Sequence, residues 1–165
     1  MPPLLAIFLT LSGGCAGGEN VTAPALKVAK AKWQAAKVTD YNLEWSSSGA
    51  REGRYRVFVR GGEVKTIYSV YKGKEIVAKP GQPRFYGVDG LFLVIEDDLA
   101  QMDTASPFGR PKGTSAVMRF EPDPTYGYPK RYVRDVVGTP QGISIDVLKF
   151  DPQPDLAIPA PVTSS

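Results

Sequence analysis

The chain has no histidine and only one cysteine, Cys15, in 165 residues. Without histidine, no imidazole can serve as general base or metal ligand. A single thiol cannot close an internal disulfide or build a thiolate zinc cage, so no metal or cofactor is expected. Charge of one sign is also scarce: 20 basic against 17 acidic residues leave a net charge of +3. Nucleic-acid binding calls for a clearly basic face, so this balance argues against it. The longest apolar run near the start, Leu4 to Leu11, is far short of the ~20 residues that span a bilayer as a helix.

That run, "LLAIFLTL", has the length of a signal-peptide core. Ser12, Gly13 and Gly14 follow, then Cys15, then a linker of small and polar residues to Ala23. Apolar core, small residues, cysteine, linker is the order of a lipoprotein signal, and the stretch resembles a bacterial lipobox. Two features depart from it. Ser12 stands where leucine is usual, with Leu11 one place further back, and "MPPLL" carries no Lys or Arg. The reading is a signal peptide over 1–14, a lipid on Cys15 as the link to a membrane, and a flexible linker over 15–23. Its alternatives are an ordinary signal cut after Ala16, giving a secreted or periplasmic protein, and an unstructured tail on a cytosolic one. A lone cysteine in an exported chain signals a special use, which favours lipidation.

Residues 24–150 read as one α+β domain. Thr22 is a candidate N-cap, and Leu26, Ala29, Trp33 and Ala36 recur at helical spacing in "ALKVAKAKWQAAKV". In "DYNLEWSSSG", Tyr41, Leu43 and Trp45 alternate with polar residues, as on a half-buried strand. "RYRVFVRGGEVKTIYSVY" predicts a hairpin about Gly61-Gly62. It places Tyr55, Val57 and Val59 on one face and Arg54, Arg56, Phe58 and Arg60 on the other, and Val64, Thr66, Tyr68 and Val70 continue the alternation on the return strand. Residues 72–87 read as a loop. A second helix begins near Val88, with Asp89 as its cap and Glu96, Asp97 and Asp98 turned outward. Three further strands, "TSAVMRFE", "KRYVRDVV" and "GISIDVLKF", complete the pattern. The prediction is helix, three strands, helix, three strands: two amphipathic helices on an antiparallel sheet of about six strands. Residues 151–165 form a proline-rich tail, expected to be loosely held.

From Asp40 to about Phe150, "DYNLEW", "RYRVFVRGGEVKTIYS", "VDGLFLVIEDDLA" and "MRFEPDPTYGYPKRY" resemble the DUF6174 family of small bacterial lipoprotein-like chains. The most distinctive match is Phe120 to Pro129. Members of that family often carry Cys-x-Cys-Pro where this chain reads "SSSGAREG", so any role of those cysteines is missing here. The resemblance implies an anchored or secreted α+β domain and no activity.

Few residues suggest chemistry. Ser46, Ser47 and Ser48 lack a histidine partner, and only a lysine such as Lys74 remains as a base. Glu121 and Asp123 flank Pro122 and could hold a hard cation, but without a calcium-loop spacing they read as turn residues. The candidate binding surface is the stripe Arg54, Arg56 and Arg60 with Lys65 across the hairpin, joined by Tyr126 and Tyr128 at a turn. The expected role is that of a non-enzymatic, lipid-anchored domain of the bacterial cell envelope, on the outer membrane or the outer face of the cytoplasmic membrane. Its partner would be another envelope protein or an anionic polymer. An inhibitor-like domain and a carboxylate- or Ser-dependent hydrolase are the alternatives.

Overall fold

Helix α1, Ala23–Ala36, starts where Thr22 predicts: its hydroxyl accepts from the Ala25 amide at 3.2 Å, and Pro24 occupies the first turn. Leu26, Ala29 and Trp33 are buried along one stripe, whereas Ala36 lies exposed at the last turn. The computed structural model describes residues 18–111 and 113–163. Cys15 and residues 1–14, read from sequence as a signal peptide, lie outside the described residues. Among the described residues, no helix is long and apolar enough to cross a membrane.

Among the described residues, eight antiparallel strands form one sheet, two more than expected: β1 Glu19–Asn20, β2 Tyr41–Gly49, β3 Gly53–Arg60, β4 Glu63–Tyr71, β5 Lys74–Val77, β6 Ala116–Pro122, β7 Pro129–Val136 and β8 Ile143–Asp151. The order across the sheet is β1-β6-β7-β8-β2-β3-β4-β5. The added strands are its two edges. β5 arises because Lys72 and Gly73 both take positive φ, which folds "KEIV" back on β4 in what reads as loop. β1 pairs with β6 through Glu19 and Asn20, inside the stretch expected to be linker. The remaining six strands form two meanders, each led by a helix, and β2 joins them by pairing with β8.

Helix α2, Val88–Gln101, lies with α1 on one face of this sheet. The core fills the space between, with Leu43, Val57, Phe92, Ile95 and Tyr132 almost fully buried. The expected Asp89 cap is replaced. Gly87 occupies the cap position without a side-chain bond, and the buried Tyr41 hydroxyl accepts from the Val88 amide at 3.0 Å. Asp89 instead accepts from Trp33 Nε1 at 3.0 Å, tying α2 to α1.

Among the described residues three bulges break the period-two pattern, on β4, on β8 and, with Lys130 as the extra residue, on β7. Val59 pairs Val64 while Val57 pairs Ile67, so β4 carries one extra residue. Val64 therefore packs on the helix side, and Tyr68 does not share its face. On β8, Leu148 is the extra residue, which lets both Val147 and Phe150 reach the core.

Candidate functional site

The arginine stripe lies on the sheet face opposite the helices, where each member has partners of its own. Arg54 donates to Glu44 on the neighbouring strand. Arg56 donates to Glu75 at 2.8 Å, and its guanidinium lies 5.3 Å and 5.4 Å from the Phe58 and Tyr68 ring centres. Arg60 donates to Tyr41 O, Val59 O and Asn42 Oδ1, and reaches the tail at Asp155 O (2.9 Å) and Leu156 O (3.4 Å). Lys65 is exposed and bonds to its neighbour Glu63. The stripe is thus largely neutralised within the chain. The tail, expected to be loose, runs across the same face.

Tyr126 and Tyr128 turn inward. Their rings pack on Phe150 at 5.4 Å and 4.5 Å, and Phe150 meets Trp33 of α1 at 5.9 Å. Burial, with Asp123 beside it, pushes the Tyr128 hydroxyl up to about 12. The turn itself is built by Asp123, whose carboxylate accepts from the Thr125 and Tyr126 amides at 2.9 Å and 2.6 Å. Glu121 pairs with Lys130. Gly127, at φ +80°, approaches α1 so closely that a Cβ would sit 2.5 Å from Ala29 O.

A cleft of about 940 Å³ opens on the helix side, between α2 and the β2–β3 end of the sheet. Trp45, Tyr55 and Tyr86 form an aromatic cluster in its wall, with centroid separations of 4.7 Å, 5.9 Å and 5.0 Å. The Trp45 indole N–H donates to Tyr86 O at 3.0 Å, which fixes the 3-10 turn Pro83–Tyr86 against the sheet. Gly90 permits that turn to sit on α2, because a Cβ there would lie 2.3 Å from Phe85 Cα. That close approach is not legible in sequence, because it depends on a loop whose path the pattern does not reveal.

Charge of both signs lines the rest of the cleft. Arg51 and Arg84 are exposed and make no side-chain ion pair among the described residues. Asp97 is exposed, but Asp98, expected to be solvated, is only 5% exposed. Its carboxylate accepts from the Tyr132 hydroxyl at 2.8 Å and pairs with Arg134. Helical rotation separates the two acids: Asp97 faces water while Asp98 points to β7. Burial raises the Asp98 pKa against the pull of Tyr132 and Arg134. Arg134 also donates to Gln141 O at 3.0 Å and stacks 4.7 Å from the Phe108 ring centre.

Ser47 lines the cleft and is nearly buried, but among the described residues no lysine lines it. Lys74 stands on β5, three strands from β2, so the topology does not bring the Ser/Lys pair together. The aromatic cluster escaped sequence reading because Tyr86 lies in an apparent loop.

No curated protein and no solved structure matches this chain. Residues 25–106, from α1 through α2, match the model of a family of unknown function, DUF6174. The match includes Trp45, Tyr55, Tyr86 and Asp98, whereas the Phe120–Pro129 segment and Arg134 lie beyond it. On this match the chain belongs to the DUF6174 family.

Proposed function

We propose that this chain is a lipid-anchored, non-catalytic binding domain of the bacterial cell envelope, and that it holds an extended segment of an envelope partner in the cleft beside α2. The cleft carries the reading: an aromatic wall of Trp45, Tyr55 and Tyr86, next to Arg51 and Arg84, whose charges have no acidic partner among the described residues. Aromatic and arginine side chains dominate binding energy where they line a concave surface. An apolar side chain of the partner would rest on the aromatic wall, and its carboxylates would meet the two arginines. The arginine stripe on the opposite face is a weaker candidate, because Glu44, Glu75 and the tail already engage it.

Anchoring rests on the order of residues around Cys15. Only residues 16–18 separate Cys15 from β1 at Glu19. At ~3.5 Å per extended residue, a lipid there would keep the β1–β6 edge within ~14 Å of the membrane surface.

A photo-crosslinking residue at Leu93, which is exposed and lines the cleft, tests the binding reading in intact cells. A discrete adduct at Leu93, absent when the probe stands at Val28 of α1 and lost with Arg51→Glu plus Arg84→Glu, is expected. No adduct at Leu93, or one indifferent to the charge reversals, would refute the cleft as the site.

A further inference from the structure

The outer face of β3, β4 and β5 holds a second feature, independent of the cleft. Phe58 and Tyr68 point away from the helices, yet are only 1% and 5% exposed, with rings 5.5 Å apart. Residues of the tail cross them. Arg60 donates to Asp155 O and Leu156 O, the Tyr68 hydroxyl donates to Pro159 O at 2.9 Å, and the Glu75 amide donates to Val162 O at 2.9 Å. In return, the Glu75 carboxylate accepts from the Val162 amide at 2.7 Å while it pairs with Arg56.

The chemistry of these contacts is lopsided. The domain supplies donors, and the tail supplies main-chain carbonyls. Pro152, Pro154, Pro159 and Pro161 have no N–H, so the tail is rich in acceptors and poor in donors. Of the tail's side chains, Leu156 and Val162 are 68% and 51% exposed, while Ile158 and Pro161 are half-buried. A groove that reads carbonyls over an aromatic floor is the recognition mode of proline-rich extended peptides.

We propose that the outer face of β3–β5 is a docking groove for a proline-rich extended segment, with the chain's own C-terminal tail as its resident occupant. An incoming segment of the same chemistry exchanges with the tail, because it satisfies the same donors on Arg60, Tyr68 and Glu75.

Two measurements test this. In the unaltered chain, hydrogen exchange at the Glu75 amide should proceed by local release of the tail, well ahead of core amides such as Val57. Exchange of Glu75 only with global unfolding would overturn the proposal. In the second, 156–162 is replaced by Gly and Ser at equal length in the full chain, and a fluorescent peptide of residues 152–163 is added. The peptide should bind the replaced-tail chain at least about tenfold more tightly than the unaltered chain, whose tethered tail competes at high effective concentration. Arg60→Gln in the replaced-tail chain, or alanine for the four prolines of the peptide, should weaken binding by about tenfold, a loss of ~1.4 kcal/mol. A folded replaced-tail chain that does not bind the peptide would overturn the proposal. So would a replaced-tail chain that fails to fold, since the tail would then be fixed cover for Phe58 and Tyr68.

Discussion

Asp98 on α2 and Tyr132 on β7 are joined by a buried hydrogen bond of 2.8 Å, and the same carboxylate neutralises Arg134. This is the polar bridge between the second helix and the second meander. Asp98→Ala would leave Arg134 largely buried without its counter-charge and the Tyr132 hydroxyl without an acceptor. Removing one partner of a buried pair costs about 3–5 kcal/mol. The double variant Asp98→Leu with Arg134→Met should recover most of that loss. Urea unfolding of the single and double variants checks it; equal losses in both would contradict the bridge.

The same carboxylate has a pH signature. Its pKa is raised on folding, so its contribution to stability is greatest below the ordinary carboxylate value of 3.8 and is lost as pH rises through the folded value. Asp98→Asn removes that titration. Stability measured from pH 4 upward should fall less steeply in Asp98→Asn than in the unaltered chain.

Alkaline pH should loosen the fold through Tyr128. Its hydroxyl is held at about 12 against an unfolded value of 10, so stability is complete below pH 10 and drains away as pH rises toward 12. At ~1.4 kcal/mol per pH unit the full shift is worth ~2.8 kcal/mol, which solvent screening of the hydroxyl reduces to roughly 2 kcal/mol. Denaturant midpoints at pH 8 and pH 11 should differ, and Tyr128→Phe should narrow the difference.

Charge reversal should separate two arginines that look alike in sequence. Arg56→Glu sets a second carboxylate against Glu75, whose side chain is 7% exposed, and should lower the melting temperature by several degrees, on the order of 1–3 kcal/mol. Arg54→Glu acts at a side chain that is 53% exposed and should cost well under ~1 kcal/mol. Thermal melts of the two variants side by side decide this, with similar shifts as the contradicting result.

Much of this architecture is legible in local pattern. The alternation Tyr41, Leu43, Trp45 marks β2, and Thr22 marks the start of α1, because each depends on neighbours in sequence. What sequence conceals is long-range. The β4 bulge moves Val64 and Tyr68 to different faces, and nothing in "EVKTIYSVY" announces the extra residue. Asp98 sits among acids of a polar-looking segment, and only the position of β7 shows that it faces Tyr132 and Arg134. Arg56 and Arg60 look free until Glu75 and the tail are brought onto their face. The cleft joins β2, a 3-10 turn, α2 and β8, and no short window contains it.

The most direct test of the anchored-domain account is the intact mass of the membrane-extracted protein, measured beside a Cys15→Ser variant. The account predicts a chain beginning at Cys15 and carrying a lipid adduct, both absent from the variant. An unmodified chain that still contains residues 1–14 would contradict it.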